Sequence, residues 1–215
     1  MRSRFDEELL TLNKELIRMG ALCEDVISLV KKALTTNDKN IITQVNAKDG
    51  EIDRMERDIE SLCLKMILRQ QPIASDLRKI SAALKMITDM ERIGDQASDI
   101  AEIMRFIDVS DEKDLVDIPN MASVAIEMVT ESIDAYVKQD VDIARKVIAH
   151  DDIMDEYFSK VRTELIKVIS EEKSSYVLDL MMIAKYFERI GDHATNIAEW
   201  VVFSVTGEHR YFAEE

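Results

Sequence analysis

The residues in this chain best suited to chemistry are acids spaced one helical turn apart. They pair as Asp49 with Asp53 in DGEID, Glu91 with Asp95 in ERIGD, Asp151 with Asp155 in DDIMD, and Glu188 with Asp192 in a second ERIGD. On a helix, residues i and i+4 share a face. Two like charges there repel by a few tenths of a kcal/mol unless a positive group compensates. A bound cation reverses that sign, so the chemistry these pairs suit is metal ligation by carboxylate oxygens. Ligands of that kind select hard ions such as magnesium, manganese or ferric iron, with zinc also within range.

The pairs belong to an internal duplication. Residues 91–102 read ERIGDQASDIAE and residues 188–199 read ERIGDHATNIAE, identical at nine of twelve positions and offset by 97. Further upstream Asp38, Asp49 and Asp53 match Asp140, Asp151 and Asp155 at an offset of 102, so the second half is five residues shorter around Pro72. Asp99 extends the first acidic row by one turn; Asn196 stands at its counterpart. At 100° per residue, Glu91, Asp95, Asp99 and Glu102 fall within about 80° of arc.

The acids interrupt apolar seams. Ile42, Val45, Asp49, Ile52, Glu56 and Ile59 keep 3-4 spacing, and Asp151 lies in the same way between Val147 and Met154. Leu77, Ile80, Leu84 and Ile87 run directly into Glu91, while Met86, Met90, Ile93, Ala97, Ile100 and Met104 form a second stripe opposite. Ile183, Ile190, Ala194, Ile197 and Val201 repeat that second stripe opposite Glu188. Gly94 and Gly191 flank the acids in mid-helix, where each costs about 1 kcal/mol relative to alanine. A close helix approach or a bulky cluster is the expected reason.

These rows need six helices to position them. Apolar residues recur at spacings of three and four almost throughout. The pattern predicts helices from about Phe5 to Leu34, from a cap at Asn37 or Asp38 to Gln70, and from a break at Pro72 and Ser75 to near Phe106. It continues with a helix that has Pro119 in its first turn and ends near Lys138, one from Asp140 to Ser170, and one from Ser174 to Thr206. The fold class is therefore all-α: two tandem, pseudo-symmetric three-helix bundles, residues 1–107 and 120–215, joined by an acidic linker at 108–119.

Composition agrees. The chain has 215 residues, 47% hydrophobic, with two prolines and five glycines. Its 43 acids against 28 bases give a net charge of −15. Such a surface repels phosphate backbones and anionic lipid, and suits cations or a basic partner protein. No apolar signal core or membrane-spanning run is read, so a cytoplasmic location is expected. Cys23 and Cys63 fall at apolar helix positions and read as reduced core thiols.

The repeated acid motifs and the phrase ERIGDHATNIAE resemble the PhoU family of phosphate-uptake regulators, over essentially the whole chain. The resemblance implies multinuclear clusters of iron or zinc on the acidic helices, held by Asp49, Asp53, Glu91, Asp95 and Asp99 in one half and by Asp151, Asp155, Glu188 and Asp192 in the other. Asn196 departs from the pattern: its carbonyl can ligate but brings no charge, so the second site is expected to be weaker or of different nuclearity. The resemblance also implies negative regulation of phosphate uptake through the ATPase subunit of the phosphate ABC transporter and through a membrane sensor histidine kinase. A homodimer is expected, no nucleic acid, and membrane contact only through partners.

Two other functions compete with the metal-binding adaptor. A metal-free acidic module would use the same residues against a basic partner. A di-iron enzyme on a helical bundle would show Glu-x-x-His ligand pairs; none occurs, and His150, His193 and His209 are scattered. With no nucleophile–base pairing or Gly-rich phosphate loop either, a non-enzyme is expected.

Overall fold

The 3-4 spacing of apolar residues becomes six helices: α1 (Arg2–Thr36), α2 (Asn40–Gln70), α3 (Ala74–Ile103), α4 (Ile118–Lys138), α5 (Val141–Val168) and α6 (Ser174–Thr206). The computed structural model describes residues 2–36, 38, 40–70, 72–107, 117–169 and 173–208. Asn37, Ser170 and residues 108–116 of the expected linker lie outside them. Within them there are helices and turns but no strand.

The ends follow local chemistry. Asp38 accepts from the Asn40 N–H at 3.0 Å and opens α2. Its counterpart Asp140 caps α5, accepting from the N–H groups of Asp142 and Ile143. Both satisfy donors that a helix start leaves without partners. Pro119 occupies the first turn of α4, inside the span expected as linker. The start of α3 differs from expectation. Ile73 is its extended N-cap, without a side-chain bond, and Ser75 lies one residue inside the helix. Pro72, which has no N–H to donate, stands at the break without a Ser75 cap. Gly207 closes α6 with φ of 81°, its N–H bonded to the Phe203 carbonyl; that left-handed angle favours glycine.

Within each half the helices form a triplet. α2 packs on α1 and α3, and α5 packs on α4 and α6. The two triplets then join face to face, α3 against α6 most extensively and α1 against α4. The contact is close: a Cβ on Gly20 of α1 would meet Ile133 of α4 at 2.9 Å. One apolar core therefore runs through both halves, from Leu12, Leu16 and Met19 to Phe187, Ile190 and Ile197. The second stripe of α3, Met86 to Met104, is buried along its whole length. Cys23 and Cys63 are free thiols in this core, as the spacing predicts. The consequence for function is positional. α3 and α6 lie in the middle of the molecule, and each carries its acidic row beside one outer helix, α2 or α5.

Candidate metal centre

In the first half the two acidic pairs converge. Carboxylate oxygens of Asp49 and Asp53 on α2 and Asp95 on α3 all lie within 4.8 Å of one another. Oxygens around one hard cation at about 2.0–2.4 Å are separated by no more than about 4.8 Å, so this spacing suits a shared ion. The Asp49 Oδ1 atom is buried and has no hydrogen-bond partner. A Cβ on Gly94 would meet that same atom at 2.8 Å and the Ile52 Cδ1 at 3.1 Å. This explains the mid-helix glycine: α3 leaves out a side chain so that the Asp49 carboxylate can lie across it.

The electrostatics agree with a site short of positive charge. Burial first, then Asp53 and Asp95, push the Asp49 carboxyl up from 3.8 to about 6, partly offset by the Ser98 hydroxyl. Asp99 is the most weakly felt of the acids around it. Glu91 is raised by burial and then by Asp95, against the pull of Arg92. Glu56 is raised by burial and then by Glu60 and Asp53. Spacing placed Glu56 in the α2 seam without assigning it to the site. Its position seven residues after Asp49, on the same helical face, is the signal that could have found it. Arg92, half-exposed, spans the two α3 acids, 3.5 Å from Glu91 Oε2 and 2.9 Å from Asp95 Oδ2. It leaves Asp49 uncompensated.

The second half repeats the plan with different contacts. Asp151 is raised by burial and by Asp155, while Thr195 donates to its Oδ1 at 3.3 Å. Asp192 is raised by burial, Glu188 and Asp151. These four acids are thus neighbours, but among the described residues they do not bring three carboxylate oxygens within 4.8 Å. Gly191 is covered by Met154, whose Cγ would lie 3.1 Å from an added Cβ.

Asp99 and Asn196 point elsewhere. The Tyr186 hydroxyl on α6 is pushed up by burial and then by the nearby Asp99 charge. The Asn196 amide donates to Asp89 on α3 at 3.2 Å, and His193 Nδ1 lies 2.9 Å from the same oxygen. Asp89 and Tyr186 are themselves counterparts in the duplication. Both residues thus tie α3 to α6 across the junction of the halves.

A third grouping was not read from the sequence. Glu127 and Glu131 on α4 and His150 on α5 also bring ligand atoms within 4.8 Å. Lys146 already bridges both glutamates, and the first-half counterpart is the Lys48–Asp25 pair at 2.8 Å. It is an ion-pair network joining an outer helix to its neighbour.

Comparison with known proteins follows the same duplication. The family model described as the PhoU domain matches twice, at residues 16–104 and 118–201. The chain is 37% identical over 211 residues to a phosphate-specific transport system accessory protein PhoU homolog of Clostridium acetobutylicum, covering 96% of each. It resembles the crystal structure of PhoU from Pseudomonas aeruginosa with a TM-score of 0.88 at 34% identity, over 95% of this chain and 100% of that one. The phosphate transport system regulatory protein PhoU from Streptococcus pneumoniae gives 0.87 at 25% identity, over 95% and 98%.

Proposed function

The chain belongs to the PhoU family, and from that premise we propose that it is a non-enzymatic, metal-binding regulator of phosphate uptake and phosphate-starvation signalling. The observation that carries the metal is the half-buried Asp49 carboxylate over Gly94, with one buried oxygen lacking any donor and two more acids beside it. A buried charge of this kind is costly unless paired. An oxygen-only set suits iron in its ferric state, magnesium or manganese, and zinc also accepts carboxylates. Asp49, Asp53 and Asp95, with Glu91 and Glu56 alongside, would hold the ion in the first half; Asp151, Asp155, Glu188 and Asp192 would do so in the second. Such an ion cross-links an outer helix to a central one and stabilises the shape that partners meet.

The regulatory role rests on relatives whose names place them in the phosphate-specific transport system. The partners that fit are the ATPase subunit of the phosphate transporter and a sensor histidine kinase, with action from the cytoplasmic side and as a homodimer. Among the described residues no helix is long and apolar enough to cross a membrane. Binding needs no catalytic group, which agrees with relatives named as accessory and regulatory proteins.

A second reading has its own observation. Arg92 and Lys185 already pair with Glu91, Asp95 and Glu188, so the acids could serve as a metal-free face for a basic partner. Elemental analysis of untagged protein decides between them, beside an Asp49→Asn, Asp95→Asn variant. Stoichiometric metal in the parent, lost in the variant, is the expected result. Absence of metal after incubation with iron, zinc and manganese would leave the metal-free reading standing.

A further inference from the structure

The two acid sites carry the same motif but differ at two residues that face it. Glu56 follows Asp49 by seven residues on the same face of α2, beside the first site. The duplication puts Phe158 at its place in the second half. Thr88, one turn before Glu91, is replaced by Lys185. The two replacements meet in space. The Lys185 Nζ lies 2.5 Å from both Glu188 oxygens and 5.4 Å from the centre of the Phe158 ring. An acid has become a ring, and a neutral hydroxyl has become a cation resting on that ring.

From this we infer that Lys185 is a built-in counter-cation of the second acid site, which makes that site the weaker of the two for metal. This rests on the metal-binding reading above. Glu188 is the more buried partner, 13% exposed against 44% for Lys185. Its carboxylate thus has both oxygens committed to an ammonium before any ion arrives. The charge of Lys185 is also felt at Asp192. The first site does have Arg92, which pairs with Glu91 and with Asp95 of the converging three, but it is half-exposed and leaves the Asp49 oxygen without a donor. Thr195 donates to Asp151 as its counterpart Ser98 does to Asp49, so the hydroxyls do not set the sites apart. An incoming ion therefore finds a partnerless Asp49 oxygen in the first half, and in the second a Glu188 carboxylate already held on both oxygens. There it must also displace an ammonium or bind beside it against like-charge repulsion.

The test is equilibrium dialysis of the EDTA-treated full chain against manganese(II), with bound ion counted by electron paramagnetic resonance. The parent should show a tight class, lost in Asp49→Asn, and a weaker class that persists in that variant. Lys185→Thr, which installs the first-half residue, should strengthen the weaker class about tenfold, the scale of one nearby unit charge in a partly solvated site. It should leave the tight class unchanged. Lys185→Arg, keeping the charge, should leave the weaker class weak. A circular-dichroism melt of each variant establishes that it is folded. Two classes indifferent to Lys185→Thr, or both strengthened alike, would overturn the role of Lys185 while the metal reading stood. No bound manganese, iron or zinc in any of these proteins would overturn both together.

Discussion

Replacing Asp49 by asparagine should make the metal-free protein more stable and the metal-treated protein less so. The carboxyl is half-buried, one oxygen has no donor, and its pKa in the fold is about 6 against an ordinary 3.8. The metal-free fold thus binds this proton more tightly than the unfolded chain does. Its stability is greatest below the ordinary value and is lost as pH rises through about 6, after which it levels off. Taken at face value the shift costs about 3 kcal/mol at pH 7.5; solvent screening of a half-buried group reduces this to about 1–2 kcal/mol. Asparagine keeps the shape, removes the charge and offers an amide that Asp53 and Asp95 can accept. In EDTA at pH 7.5 the variant should therefore melt about 3–6 °C above the parent. The gain should shrink at pH 4.5, where the parent carboxyl is mostly protonated. With a binding metal at a hundred times its dissociation constant the order reverses, because the parent gains about 2.7 kcal/mol that the variant forgoes. Differential scanning calorimetry over pH 4.5–7.5, with EDTA and with metal, reads all of this. A variant in EDTA that melts at or below the parent at pH 7.5, with an unchanged pH slope, would refute the claim that Asp49 is a buried charge awaiting a cation.

Other perturbations separate the two halves and the scaffold from the site. Gly94→Ala should lower metal affinity at least tenfold while changing stability by less than about 1 kcal/mol, since the helix-propensity gain offsets displacement of the Asp49 carboxylate from its 2.8 Å overlap. Gly191→Ala meets only the flexible Met154 at 3.1 Å and should leave metal binding intact; dialysis and melting of both variants check the contrast. Asp140→Ala removes the cap that bonds Asp142 and Ile143, and should cost about 1 kcal/mol in urea unfolding with no change in metal content. Cys23 and Cys63 have thiols pushed upward by burial, Cys63 to about 12. A maleimide reagent at pH 7.5 should label neither in the native protein and both in urea.

How much of this was legible in the chain depends on whether a feature is local. Asp38 as a cap, the start of α5 at Asp140, Pro119 in the first turn of α4 and the end of α4 at Lys138 follow from side chains acting on the backbone a few residues away. The start of α3 differs from the break expected at Pro72 and Ser75 because an extended Ile73 after Pro72 can begin a helix with no side-chain cap. That the acid rows of α2 and α3 face a packing neighbour was readable because both lie on seams, and seams must face a neighbour.

The sequence by itself determined the six helices, their duplication, and the turn-by-turn spacing that puts acids on packing faces, because helical periodicity converts residue number into direction. Only the tertiary structure decided which acids meet. Asp99 shares the face of Asp95, yet it serves the α3–α6 junction through Tyr186, and Asn196 does the same through Asp89. Position along one helix says nothing of which neighbour lies opposite. The same limit hid Lys185 on the Phe158 ring and the single core running through both halves. The first depends on how α5 sits on α6 and the second on how α3 sits against α6, relations set by the packing of whole helix faces and written in no one stretch of chain.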